Sequence, residues 1–267
     1  MITILGASGF IGSSLVKKLQ EKNIPFEAPL KGEDLNNKNW GDIIYCIGLT
    51  ADFRQKPFET VEAHVCLINY ILKNIQFESI TYLSSTRVYL NSNEEEVFEN
   101  SPINISITNP DELYTLTKLT GERLCLSSGR KVRIVRLSNV YGNDYSSENF
   151  INNIINKIKE NAYVDFFTTL SSAKDYISID SLTDILIDIS TKGKDHIYNV
   201  ASGENISNAD IIEMLKLYFN FKFSIDGRAS EIIFPKINIE KIKKEFGFLG
   251  SDKKTNLLKL IKIYTND

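Results

Sequence analysis

The first twelve residues constrain this chain more than any others. Residues 1–5 are an apolar run of the length of one buried strand. They lead straight into Gly6-Ala7-Ser8-Gly9-Phe10-Ile11-Gly12, and the helical spacing Leu15, Val16, Leu19 follows. A strand, a glycine turn and a helix in that order are the context of a dinucleotide-binding fingerprint. Gly6 permits the tight turn, the missing side chain of Gly9 lets a pyrophosphate approach the backbone, and Gly12 lets the helix pack close to the strand. Phosphates then sit on unpaired N–H groups at a helix start, favoured by the helix dipole. Gly6, Ser8, Gly9, Phe10, Ile11 and Gly12 are the expected cofactor cradle.

The 267 residues suffice for one large α/β domain or a domain with a smaller lobe, and 42% hydrophobic residues is the usual globular content. A net charge of −3 gives no electrostatic argument for nucleic acid or an anionic membrane. No stretch approaches the roughly 18 to 20 apolar residues of a membrane span. The N-terminus carries no signal-peptide pattern. Cys46, Cys66 and Cys125 are widely spaced and odd in number, each in an apolar context, which predicts buried free thiols and a cytoplasmic location. With only His64 and His196 present, a histidine-based metal site is not expected.

Strand-like runs at 1–5, 42–47, 79–83 and 132–137 alternate with helical spacing at 13–22, 57–74 and 110–126. That alternation predicts βαβ units and a Rossmann-type doubly wound parallel sheet with helices on both faces. Right-handed crossovers put the ligand edge at the C-terminal strand ends. Past residue 142 the pieces shorten: helix 149–161, strand 175–179, helix 181–190, strand 196–200, helix 207–219 capped by Ser207, and helix 239–246. The expected division is a dinucleotide-binding domain over 1–143 and 173–200 and a smaller substrate-binding lobe over 144–172 and 201–267. Glu94-Glu95-Glu96 reads as a solvated loop.

Tyr114 and Lys118 lie four apart in a predicted helix, on one face. A free tyrosine has a pKa near ~10, and a neighbouring ammonium with an oxidised nicotinamide favours tyrosinate. Tyr114 can then exchange a proton with a substrate oxygen while hydride moves at carbon. Tyr82-Leu83-Ser84-Ser85-Thr86-Arg87-Val88-Tyr89 and Arg136-Leu137-Ser138-Asn139-Val140-Tyr141-Gly142 bring polar clusters to two further strand ends.

With these motifs in order, nearly the whole chain resembles the extended short-chain dehydrogenase/reductase family, in particular its nucleotide-sugar epimerases, dehydratases and ketoreductases. The matching segments are 6–12, 84–89, 114–118, 136–142, 174–180 and 198–207. The resemblance implies Tyr114 as acid/base, Lys118 as its electrostatic partner and holder of the nicotinamide ribose, and Ser85 as the third catalytic residue, with Ser84 the alternative. It implies that Thr50, Ser85, Thr86 and Asn139 meet the substrate, and Arg228 its diphosphate. Ile47, Gly48 and His64 are expected beside the cofactor, although His64 reads equally as a helix histidine satisfied by backbone. Arg54 reads as substrate-facing or as a rim charge.

Two departures matter. NAD-preferring relatives carry an acid at the end of the second strand; that position falls at Leu30, followed by Lys31. A lysine and no acid favour NADP, with NAD the alternative, and Asp34-Leu35 can contact adenine. The family's 4,6-dehydratases place Asp-Glu directly after the catalytic hydroxyl, where this chain has Thr86 and Arg87, so elimination lacks its acid and base. The resulting expectation is a 4-ketoreductase of a nucleotide-linked sugar using NADPH, in surface polysaccharide or deoxysugar synthesis. The alternatives are an epimerase with retained NAD and a non-catalytic dinucleotide sensor. The resemblance also implies a homodimer through the helices around 57–74 and 110–126.

Overall fold

The computed structural model describes residues 1–50, 52–142, 150–250 and 253–265. In chain order the first half comprises β1 (Ile2–Leu5), α1 (Phe10–Glu21), β2 (Phe26–Glu27), β3 (Asp42–Tyr45), α2 (Pro57–Val61), a π-helical turn (Glu62–Cys66), α3 (Leu67–Asn74), β4 (Ser79–Ser85), a 3-10 turn (Thr86–Tyr89), β5 (Glu96–Val97), α4 (Glu112–Ser127) and β6 (Val132–Leu137). The second half comprises β7 (Asn139–Tyr141), α5 (Phe150–Asn161), β8 (Tyr163–Thr168), β9 (Ala173–Ser178), α6 (Ile179–Lys192), β10 (Ile197–Val200), β11 (Asn205–Ser207), α7 (Asn208–Lys216), β12 (Lys222–Ser230), β13 (Lys236–Ile237), α8 (Glu240–Phe246) and α9 (Lys253–Thr265).

The main sheet has six parallel strands in the order β10-β6-β4-β3-β1-β2. Alternate residues of each strand feed opposite layers, so the strands read as near-continuous apolar runs. Ile4, Ile44, Leu83 and Val135 pack with Leu15 and Leu19 of α1 and Leu182, Leu186 and Ile189 of α6. Ile43, Tyr45, Ile80, Tyr82 and Ile134 pack with Ile68, Ile71 and Leu72 of α3 and Cys125 of α4. The fold is therefore the expected Rossmann-type α/β sheet.

Chain direction reverses between β1 and β3, which is the switch point where doubly wound sheets bind ligands. One crossover is missing. From Glu27 to Asp42 the chain makes turns and an isolated bridge from Asn39 to Gln76, with no helix and no further strand. The usual Rossmann edge strand beyond β2 is thus absent. Trp40 plugs this edge: its indole N–H donates to the Leu35 carbonyl at 2.8 Å, and its own carbonyl accepts from the Thr3 hydroxyl at 2.6 Å.

A third apolar cluster joins α5 (Ile151, Ile154, Ile155, Ile158), β8 (Val164, Phe166), α7 (Ile211, Ile212, Leu215) and α9 (Leu257, Ile261). The parallel β8–β12 pair and α9 went unforeseen, because neither shows a clean apolar period. The start of the helix expected from Asn149 and the boundary expected near 143 lie outside the described residues. Ser207 does cap α7, in a reciprocal capping box with Asp210.

Two expectations are corrected. Cys66 is exposed, because it lies two residues from buried His64 and so on the opposite side of its helix; Cys46 is half-buried and Cys125 buried. Glu96 belongs to β5, which pairs with β13, rather than to a free loop.

The glycine turn accounts for the start of α1. Gly6 has φ of +88°, a conformation open to glycine. A Cβ on Gly12 would lie 2.1 Å from the Gly6 carbonyl oxygen and 2.9 Å from the Ala7 Cα, so the close packing is between the helix and the turn itself. Gly12→Ala is expected to cost about 3 kcal/mol, a fall in melting temperature near 10 °C, measurable by thermal unfolding.

Candidate active site

The turn at Gly6 and the end of β3 meet at the switch point: a Cβ on Gly6 would touch Ile47 Cγ1 at 3.0 Å. A Cβ on Gly9 would meet only the Gly6 oxygen, at 3.5 Å, an ordinary contact. The chain's own packing therefore does not require glycine there. The open space above Gly9, together with a first turn of α1 that has no side-chain cap, fits a pyrophosphate cradle. Ser8 is exposed, and Phe10 and Ile11 are half-buried beside it.

At the next strand end Gly48 lies against two side chains. A Cβ there would come within 3.1 Å of His64 Nε2 and 3.3 Å of Lys118 Nζ. The bare backbone thus leaves the Lys118 ammonium near the surface of the switch point. Lys118 donates to the Leu83 carbonyl at 2.9 Å, and its Nζ lies 5.8 Å from the Tyr114 ring centroid. Burial pushes its pKa down to about 7, against the pull of Glu122 and Cys46.

α4 is held close by Gly121, where a Cβ would clash with the Tyr82 hydroxyl at 2.3 Å and the His64 carbonyl at 2.6 Å. The π-helical turn supplies that carbonyl, which accepts from Tyr82 at 3.0 Å, while the Ala63 carbonyl accepts from Tyr45 at 2.5 Å. His64 is fully buried, with Nδ1 2.9 Å from Thr117 Oγ1 and Nε2 accepting from the Leu49 N–H at 3.3 Å. Burial and the Lys118 charge hold its pKa down to about 3, so it is neutral and donates through Nδ1. His64 therefore supports the 47–49 loop and α4, as a helix histidine satisfied within the fold.

Tyr114 is buried, with its ring edge-on to His64 at 5.4 Å, and the polar side chains of Ser85 and Thr50 act on its hydroxyl. Burial raises its pKa, while Ser85, the Arg87 charge and Thr50 work against that rise. Among the chain's own groups burial is the stronger influence, and the cation opposing it is Arg87 rather than Lys118. Ser85 rather than Ser84 meets Tyr114, because Ser84 donates to Glu122 at 2.5 Å.

Arg136 does not face a ligand either. It forms a buried two-pronged pair with Glu122 at 2.7 and 3.0 Å and donates to Tyr89 at 2.6 Å. Thr86 is buried at the start of the 3-10 turn, and Asn139 donates to the Asp175 carbonyl at 2.9 Å. Lys31 and Asp34 are exposed; the Asp34 carboxylate accepts from Asn36, and Leu35 packs against the Trp40 cluster. Arg228 is not brought to this cluster: its side chain is 93% exposed beside Asp226. Sequence reasoning missed Phe53, and it missed Arg87 as a member of the site. They meet only in space, although Arg87 stands two residues past Ser85.

The NAD dependent epimerase/dehydratase family model matches residues 42–201. The chain belongs to that family and is an extended short-chain dehydrogenase/reductase enzyme. It is 23% identical to the dTDP-4-dehydro-6-deoxyglucose reductase of Escherichia coli, with 92% of each chain covered. MoeE5, solved with UDP-glucose and NAD, superposes with a TM-score of 0.81 at 18% identity, covering 99% of this chain and 98% of that one. RMD from Pseudomonas aeruginosa, solved with NADPH, gives a TM-score of 0.81 at 17% identity, covering 100% and 99%. Among the described residues no helix is long and apolar enough to cross a membrane.

The depressed pKa of Lys118 sets a stability signature. Between about 7 and its ordinary value of 10.5 the folded chain binds one proton fewer than the unfolded chain, so stability from this group rises with pH across that window. Urea unfolding at pH 6 to 10 is expected to show the wild type gaining on Lys118→Met by about 1 kcal/mol per pH unit above 7. Parallel profiles would contradict the buried, desolvated ammonium.

Proposed function

We propose that this chain is a 4-ketoreductase of a nucleotide-linked sugar that uses NADPH, with Tyr114 giving the proton to the forming hydroxyl. The observation that carries this reading is the buried Tyr114 phenol set beside Ser85 and Thr50, with Lys118 one helical turn on. A phenol keeps its proton at neutral pH and is a donor ready for a keto oxygen. A bound reduced nicotinamide supplies the hydride. Gly6, Gly9 and Gly12 would hold its pyrophosphate, and Lys118, beside Gly48, its ribose.

Several features support the finer points. Neither Thr86 nor Arg87 offers the carboxylate that an elimination needs. Extending the β1–β2 register, in which Thr3 lies opposite Glu27, sets Leu30 level with Gly6. Glu27 falls short of that level and pairs with Lys38. Lys31 is exposed where a 2′-phosphate would sit. The Escherichia coli relative is named as a reductase of a 4-keto sugar.

A second reading, an epimerase with retained NAD, has one observation in its favour. Glu33 folds back to accept the Leu30 N–H at 2.9 Å, which brings an acid beside the ribose position. Mass spectrometry of small molecules released on denaturing the purified protein separates the two. A reductase should be empty and bind NADPH at least about tenfold more tightly than NADH, a difference of 1.4 kcal/mol. Retained NAD would overturn the reductase reading. Tyr114→Phe should lose roughly 10²- to 10⁴-fold in turnover with dinucleotide affinity unchanged; unchanged turnover would point to a non-catalytic sensor.

A further inference from the structure

Two arginines share a ring beside Tyr114, and only one of them is fully answered. Phe53 is a buried ring that packs against Tyr114 with centroids 5.4 Å apart. The Arg54 guanidinium lies 4.5 Å from the centroid of that ring and the Arg87 guanidinium 5.7 Å. Arg54 donates to both oxygens of Asp111. Arg87 reaches that carboxylate only at 3.8 Å, and its Nε is buried with no partner among the described residues. The other acid acting on Arg87, Glu112, accepts from Asn91 at 2.6 Å. Lys174 of β9 lies 4.2 Å from the Phe150 ring centroid, and burial together with the Arg87 charge pushes its pKa down to about 8.

Arg87 keeps part of its guanidinium in water and a long ion pair to Asp111, but its buried Nε has no acceptor, and a buried donor left unpaired is costly. An anion reaching that nitrogen would satisfy it. Position says which anion. Arg87 follows Ser85 by two residues, its backbone N–H donates to the Ser85 hydroxyl at 3.2 Å, and it shares the Phe53 ring with Tyr114. It therefore stands at the reacting end of the site, next to the atom that must touch the sugar. Its planar fork matches a carboxylate.

We infer that Arg87 receives a carboxylate carried on the sugar ring, so that the substrate class is an acidic, uronic-type nucleotide sugar rather than a neutral hexose. This rests on the nucleotide-sugar reading above. The rival role for Arg87 is a contact to the diphosphate.

Two matched pairs of probes test it: UDP-glucose against UDP-glucuronic acid, and GDP-mannose against GDP-mannuronic acid. Calorimetric titrations would use the dinucleotide-loaded wild type, Arg87→Met and Arg87→Lys at fixed ionic strength. The wild type should bind the acid of at least one pair about tenfold or more tightly than its neutral partner, as a desolvated charge pair allows. Arg87→Met should erase that preference and leave the neutral partner within about twofold, while Arg87→Lys keeps part of it. No acid preference in the wild type, or equal weakening of both members in Arg87→Met, overturns the inference; the second result assigns Arg87 to the diphosphate. Dinucleotide binding with no uptake of any nucleotide sugar instead overturns the reading on which the inference rests. Unchanged dinucleotide affinity of the variants serves as the check on folding.

Discussion

Glu122 is the residue on which the geometry around Tyr114 depends. Its carboxylate lies in the layer between α4 and the sheet, where an unpaired charge is not tolerated. Arg136 of β6 pairs with it through two nitrogens, and Ser84 of β4 donates to it. The same arginine continues through the Tyr89 hydroxyl to the Asn199 side chain on β10. One ion pair thereby ties α4 to three strands and the 3-10 turn. It also sits one helical turn beyond Lys118, where it is the largest influence keeping that buried lysine charged. The rotation of α4 that presents Tyr114 and Lys118 follows from this anchor, together with the close approach that Gly121 allows.

Ser84, the alternative third catalytic residue in the sequence, and Arg136 are parts of the support. Their neighbours, Ser85 one residue on and Arg87 beyond it, are left to meet Tyr114. Burial and charge oppose each other at the phenol, and burial is the stronger.

The strands and helices of the sheet were legible because residues buried on both faces leave unbroken apolar runs, and helices leave a 3.6-residue period. Two glycines of the fingerprint, Gly6 and Gly12, answer local steric demands, while Gly9 answers none within the chain and leaves open space. The π-helical turn was not: one inserted residue at Glu62–Cys66 leaves the apolar spacing intact while turning His64 inward and Cys66 outward. The β8–β12 pair was not legible because its pairing spans distant segments. Arg87 was missed for a similar reason: it and Arg54 come from separate stretches of chain, and only the Phe53 ring brings them together.

The missing crossover after β2 has a consequence for how such a chain changes over time. Residues 28–37 belong to no helix and no strand of the sheet, and the edge is sealed by Trp40 further on. Substitutions in that stretch meet little resistance from the core. The adenosine end of any dinucleotide would then rest on a segment free to drift, while the chemistry-bearing end rests on a locked one. Coenzyme choice and catalysis can evolve at different tempos in such a molecule.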